Sequence, residues 1–442
     1  MTQPLFTTDA LRAIFTPSAR LSRMLEFEAA LAQAEASVGV IPKRAADVIE
    51  RHCDVSRFHV DAIENAAQRA GNLAIPMVAA LTRNVAQDDG EAKGFVHYGA
   101  TSQDAIDTGL VLQLRDALVV IDADLTRLST ALARLSREHS TTPIAGRTWL
   151  MQGAPTTFGV KLAAVVSALD RDRDRIASAR ERALVLQFGG AVGTLASLGD
   201  KGLAVAEALG ACLGLRVPDM PWHTERDRIC EIATALGVMT ATLGKLARDF
   251  ALLSQSEVGE AAEPSAPGRG GSSTMPQKRN PVGASIALAA SIRVPGLVAT
   301  MLQAAVQEHE RGLGNWPAEW ETMPQIAMLV GGALRAMAEV AEGLDIDAAR
   351  MAANLDITQG LIFAEAVQMA LAPTLGRDAA HTLVASACRR AVERRVHLRD
   401  ILEHEATIAP VLDRKALDRL FDPANYIGES RAFIERALAR HR

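Results

Sequence analysis

The chain has 442 residues and a formal net charge of -5, with 49% hydrophobic residues but only 4% aromatics. That length allows two or three domains with a large core, and Ala-, Leu- and Val-rich composition favours helix over sheet. The charge balance gives no overall pull towards nucleic acid or an acidic membrane, so an anionic ligand must find a local basic pocket. The N-terminal MTQPLFTTDALRAIF lacks the basic-then-apolar order of a secretory signal. No run of 18 uninterrupted apolar residues marks a membrane span. Cys53, Cys212, Cys230 and Cys388 are far apart and form no CxxC pair, as in free thiols of a reducing compartment. A cytoplasmic chain without metal, membrane or nucleic-acid partner is expected.

Taken in chain order, Met24, Phe27, Leu31, Ala34 and Val38 follow helical spacing, and turns interrupt near 39–42 and 71–76. The segment VHYGATSQDAIDTG (96–109) then precedes a heptad series: Leu114, Leu118, Ile121, Leu125, Leu128, Leu132 and Leu135. Steps of four and three place these side chains along one stripe of one helix; roughly 30 residues of it span about 45 Å. After TTPIAGRTWLMQGAPTTFG (141–159), a looser stripe runs through Leu162, Val165, Leu169 and Ile176. VLQFGGAVGT (185–194) has a strand-like, glycine-broken texture that suits a small hairpin or a loop. WHTERDRI (222–229) leads into a second seam, Ile229 to Leu253, and its Arg226 and Arg228 read as charges of a solvated helix start. A further apolar helix is expected from Val282 to about His309, bent at Pro295. EHERGLGNWPAEWE (308–321) then ends that helix, where His309 and Arg311 suit the dipole. Shorter helices resume after Leu344.

The reading is therefore all-α: a helical domain over 1–110, an elongated bundle of long helices over 111–350, and a helical domain over 351–442. The stripes exceed what one bundle needs, which points to a homo-oligomer with a shared, larger bundle.

Three islands carry the chemistry. GRGGSSTMPQKRNPV (268–282) combines glycines able to adopt unusual backbone angles with Ser272, Ser273 and Thr274, the cations Lys278 and Arg279, and the amide of Asn280. Pro281 suits the first turn of the next helix, whose positive end adds to an anion site. Composition is equally compatible with a linker of solvated charges. The 96–109 island supplies His97, Thr101 and Ser102; either hydroxyl could cap the following helix. The 141–159 island supplies Arg147, Thr148, Trp149 and Gln152, of which an indole is more often core than catalyst. All three lie at ends of long helices, where a bundle brings distant segments together, and their common ligand would be a small polycarboxylate. There is no GxxxxGK[ST] loop, no GxGxxG and no HExxH.

GSSTMPQKRNP (271–281) resembles the signature of the fumarase/aspartase superfamily, and HYGATSQD (97–104) and TPIAGRTW (142–149) fall at that family's spacings. The resemblance covers essentially the whole chain. It implies an all-α, three-domain homotetramer with a central bundle and active sites shared between subunits. It also implies cofactor-free addition or removal of a group α,β to a carboxylate. Ser272 then corresponds to the loop serine that handles the Cβ proton, with Ser273 and His97 beside it. Lys278, Asn280, Thr101 and Ser102 fall at carboxylate-binding positions; Arg147, Thr148 and Gln152 are expected to bind substrate beside them, with His309 and Arg311 as further contributors.

One departure is informative. Nitrogen-eliminating members such as adenylosuccinate and argininosuccinate lyases carry a His, in GRTH, where this chain has Trp149. A departing amine needs a proton donor, whereas a carboxylate, with a pKa near about 4, does not. The substitution favours a reaction in which a carboxylate oxygen adds or leaves, with Trp149 filling the vacated space and excluding water. The nitrogen-eliminating lyases, and a non-catalytic protein of the lens-crystallin kind on the same fold, are the alternatives.

Overall fold

The computed structural model describes residues 2–441 except 266, 267 and 269. Helix limits follow local chemistry. The first long helix, α1 (Pro17–Val38), starts where the Thr16 hydroxyl accepts a hydrogen bond from the Ala19 N–H at 3.1 Å and a proline takes the first helical position. Both devices settle N–H groups that have no partner inside a helix. It ends at Gly39, whose φ of 74° is left-handed and costs glycine little.

The leucine heptads form one helix, α2 (Ser102–Glu138), 37 residues long. Its seven stripe residues, Leu114 to Leu135, are at most 4% exposed, and each such burial contributes about 2 kcal/mol. An antiparallel hairpin follows, β1 (Pro143–Thr148) and β2 (Met151–Thr157). The Thr157 hydroxyl then caps α3 (Phe158–Ala183), accepting from the Val160 N–H. The second seam is α4 (Asp227–Leu253). A short strand, β3 (Ala261–Ala262), precedes the signature loop, and α5 (Val282–Ala304) runs through Pro295. α6 (Asn315–Glu342) leads to β4 (Asp345–Ile346), which pairs antiparallel with β3.

The chain divides into two compact units, with boundaries inside the long helices. The first holds the chain as far as Leu125, Asp172–Gly244 and Ile286–Arg335. Its buried apolar residues include Leu114, Leu118, Ile121, Ile229, Leu236, Met239, Ile326 and Leu329. Within it α1 packs on Lys43–His52 and Gly202–Leu213. The second unit holds Thr126–Arg171, Lys245–Ser285 and the chain from Ala336 onward. Here α7 (Ala364–Leu375) and α8 (Arg377–Arg394) pair around Val367, Leu371, Val384, Leu398, Leu402 and Leu417.

Of the two readings left open for 185–194, a hairpin or a loop, the structure has the loop; the strands lie in 143–157, a segment too short and too polar to announce itself by alternation. One local reading changes. The expected helix over 282–309 stops at Ala304, and 308–321 joins two helices. His309 and Arg311 therefore sit in a connection rather than in a helical last turn, and the dipole account of them is withdrawn.

Glycine marks one close approach. A Cβ on Gly332 of α6 would run into the Phe6 carbonyl and the Thr7 nitrogen. Gly332→Ala therefore destabilises by about 2 kcal/mol, read as a lowered thermal midpoint with unchanged helical circular dichroism at low temperature.

Candidate active site

The start of α2 is polar yet buried. Gln103, Asp104, Asp107 and Thr108 are all at most 1% exposed, so each needs partners. Asp104 takes backbone N–H donors from Thr101 at 3.0 Å, Gly189 at 3.0 Å and Gly190 at 2.9 Å, and lies 2.8 Å from His223 Nε2. This explains the glycine-broken loop: a side chain on Gly189 would strike Pro221 and His223. Asp107 and Glu319 grip the Arg226 guanidinium from two sides, with Nη to carboxylate distances of 2.6 Å each. Trp316 Nε1 donates to Asp107 at 3.0 Å, and Arg226 lies over the Trp222 ring at 4.8 Å. Arg226, expected to be a solvated charge, is thus wholly enclosed. Burial opposes its charge, and Asp107 and Glu319 more than offset that, raising its pKa. For Glu319 burial wins, pushing the carboxyl above its ordinary value despite Arg226.

The sequence-predicted residues of this first unit gather around that framework. His97 has a left-handed φ of 55° and sets Nδ1 2.7 Å from Glu28 Oε1. Burial disfavours the imidazolium, but Glu28, with Asp104 behind it, outweighs burial and raises the pKa. Thr101 and Ser102 are half-buried at the helix start. Arg311 Nε donates to Gln103 Oε1 at 3.0 Å, and its Nη2 donates to the Ala191 carbonyl at 3.0 Å. The 96–109 and 308–321 segments therefore meet, together with 187–193 and 222–226; His309 is exposed. His223, Asp107 and Glu319 went unnoticed in the sequence, and Asp104 was noted only as a member of the 96–109 island. The signal for Asp107 was an acid one turn beyond Asp104 on a helix whose continuation is apolar.

The second unit holds the other two islands. Arg147 makes a bidentate pair with the fully buried Glu260, at 2.8 and 2.7 Å. Asn354 donates to Glu260 at 2.8 Å, and Gln152 Nε2 donates to the Asn354 carbonyl at 2.8 Å. Lys161 lies in the same electrostatic neighbourhood; burial lowers its pKa, opposed by Asp249. Thr148 is exposed, and Trp149 is 98% exposed at the hairpin tip. Trp149 and Leu150 both have left-handed φ, 54° and 66°, an unusual strain for large side chains. The indole belongs to no core of this chain, and within the single chain it fills no enclosed space.

In the signature loop, Ser272 Oγ accepts from the Met275 N–H at 3.1 Å and the Thr274 N–H at 3.3 Å. Two such donors favour an anionic oxygen. The Asn280 N–H donates to the Gly270 carbonyl at 2.8 Å and its Nδ2 donates to the Gly271 carbonyl at 3.3 Å, stapling the loop's two ends. Gly270 must lack a side chain there, because a Cβ would lie 2.6 Å from the Asn280 oxygen. The start of α5, expected to await a ligand anion, is taken by Glu263, which accepts from the Gly283 and Ala284 N–H groups at 2.9 and 2.7 Å. Lys278 and Asn280 line a cavity of about 640 Å³ with Gln255, Glu263 and Met275. Ser273 and Lys278 are exposed. Among the described residues no three His, Cys, Asp or Glu side chains are grouped as metal ligands.

Residues 5–296 match the family described as lyase, and residues 360–437 match the adenylosuccinate lyase C-terminus. The chain belongs to the fumarase/aspartase superfamily of lyases. It is 53% identical over 436 residues to a 3-carboxy-cis,cis-muconate cycloisomerase of Pseudomonas aeruginosa, covering 99% of this chain and 95% of that one. The crystal structure of 3-carboxy-cis,cis-muconate lactonizing enzyme from Pseudomonas putida superposes with a TM-score of 0.95 at 52% identity, covering 99% and 98% of the two chains. A fumarate lyase from Mesorhizobium sp. BNC1 superposes with a TM-score of 0.91 at 38% identity, covering 98% of each.

Two measurements probe this framework. Arg226→Ala leaves two buried carboxylates unpaired and costs about 3–5 kcal/mol, read by chemical denaturation. Glu35, one heptad beyond Glu28 on α1, is fully buried with neither oxygen hydrogen-bonded. Burial, then the Glu28 charge, pushes it from 4.5 to about 9. Between those values the folded chain holds a proton that the unfolded chain has released, so stability falls as pH rises through that window. Glu35→Gln raises the thermal midpoint at about pH 8 and does little at about pH 5.

Proposed function

We propose that the chain is a cycloisomerase that closes 3-carboxy-cis,cis-muconate to 4-carboxymuconolactone, a step of protocatechuate (β-ketoadipate) degradation. The observation that carries this reading is 53% identity over nearly the full length to a cycloisomerase, joined to an indole at position 149 where nitrogen-eliminating lyases keep an acid. One substrate carboxylate attacks a double-bond carbon of the same molecule and closes a five-membered ring. Negative charge moves onto another carboxylate, and Ser272 delivers a proton to the adjacent carbon. The oxygen left on Ser272 is received by the Thr274 and Met275 N–H groups, which supply its activation. The nucleophile is already attached to its target, so most of the entropic cost of meeting is absent.

Lys278 and the Thr101–Ser102 helix start hold substrate carboxylates, with His97 as a cation kept charged by Glu28, and Arg311 and His309 as outer contributors. Donors arranged in advance stabilise such a transition state by a few kcal/mol each. Arg147 has both Nη groups engaged by Glu260, so its part is to fix the hairpin that presents Thr148, Trp149 and Gln152. Asn280 acts by holding the loop closed on itself, and Ser273 is its second hydroxyl.

The same reading takes the enzyme as a cofactor-free cytoplasmic homotetramer of three-domain subunits, divided near 110 and 350. Two features support association. α5 has a mean hydropathy of 1.6 yet only 28% of its apolar window is buried. The hairpin tip also leaves Trp149, Leu150 and Met151 at 98%, 75% and 72% exposure. A tip seated in another copy gives Trp149 its water-excluding place.

Loss of the conjugated diene absorbance on adding 3-carboxy-cis,cis-muconate tests the assignment. Fumarate release from adenylosuccinate as the efficient reaction would replace it with the lyase reading, for which the fumarate lyase likeness speaks. Turnover of neither would favour a structural protein.

Ser272→Ala lowers kcat by about 10²–10⁴-fold with little change in thermal midpoint; near-normal turnover removes Ser272 from the chemistry. In the wild type kcat/KM declines at alkaline pH as His97 loses its proton. Glu28→Gln withdraws the opposing charge, so burial dominates and that decline moves to lower pH.

A further inference from the structure

We propose a second ligand site in the first unit, one that takes a small aromatic carboxylate and is mechanically joined to the start of α2. It is a cavity of about 310 Å³ between α1, α2 and α6, at the lower end of the size range of small-molecule pockets. Its walls are Phe15, Ile106, Leu110 and Met328.

Two polar groups in this cavity lack acceptors. The Arg20 guanidinium lies over the Trp320 ring at 5.7 Å, and among the described residues no group accepts a hydrogen bond from it. Burial lowers its pKa, with Glu64 and Glu321 acting against that only through space. The Trp320 Nε1–H is itself buried without a partner. A guanidinium carries five donors in a planar fork and an indole carries one. A carboxylate is the planar acceptor that matches such a fork. The apolar walls specify a ring behind it. Glu64 and Glu321 are exposed at the rim, where they accept hydrogen bonds from a hydroxyl or amine on the far side of that ring.

Occupancy reaches the active-site framework by short routes. Ile106 flanks Asp107 on α2, and Trp320 follows Glu319 on α6; these two acids hold Arg226. Trp320 also packs edge-on against Trp316 at 4.9 Å, and Trp316 donates to Asp107. A ligand wedged between Leu110 and Trp320 therefore presses on the two helical turns that fix Asp107 and Glu319. The inference does not depend on which reaction the enzyme catalyses.

The test uses benzoate and 4-hydroxybenzoate as probes with the intact enzyme. Intrinsic tryptophan fluorescence changes saturably, 4-hydroxybenzoate binds more tightly than benzoate, and cyclohexane, which lacks the carboxylate, produces no change. Arg20→Met weakens binding by about tenfold or more while keeping basal turnover; Lys278→Met, in the catalytic loop, leaves benzoate binding intact. Should Arg20→Met fail to fold, crystals of the wild type soaked in 4-bromobenzoate decide. A bromine anomalous peak between Phe15, Leu110 and Met328 supports the site. A peak only beside Lys278, or none, overturns it, as does unchanged binding in Arg20→Met.

Discussion

Arg226, closed between Asp107 and Glu319, is the interaction on which the first unit's polar framework depends. A charge with no exposure must be fully compensated, since its desolvation cost is several kcal/mol. Two carboxylates from two helices provide that compensation only at one register of α2 against α6. Fixing that register also sets Asp104, one turn earlier on α2. Asp104 in turn gathers Thr101, the Gly189–Gly190 backbone and His223. The functional segments at the helix start are thus positioned by buried electrostatics, which specify direction where apolar packing alone would tolerate slippage.

The sequence disclosed the long helices because their signal is repetitive. Seven stripe residues at alternating steps of four and three leave little choice about α2, and the structure buries them all. It did not disclose the hairpin, because β1 and β2 are six and seven residues long and carry Gly146, Gly153 and Pro155. Nor did it disclose α6: Pro317 and Pro324 lie inside the helical run and imitate breakers.

The site was legible as types of residue and much less so as roles. Ser272, Lys278 and Asn280 stand out by composition, yet nothing in composition says that Asn280 closes the loop or that two N–H groups point at Ser272 Oγ. Arg226 was misread because a charged residue at a helix start is ordinarily solvated, and its two partners lie 119 and 93 residues away. Long-range pairing of that kind leaves no local trace. Trp149 shows the converse: the residue type suggests an interior, while its place at a turn tip sends it into solvent.

The boundaries between the two units fall within α2, α3, α4, α5 and α6. A protease that nicks surface loops cannot liberate either half as a free-standing fragment, because separating them means severing five continuous rods. Neither half can melt while the other stays intact without fraying those rods from within, at the cost of their internal hydrogen bonds.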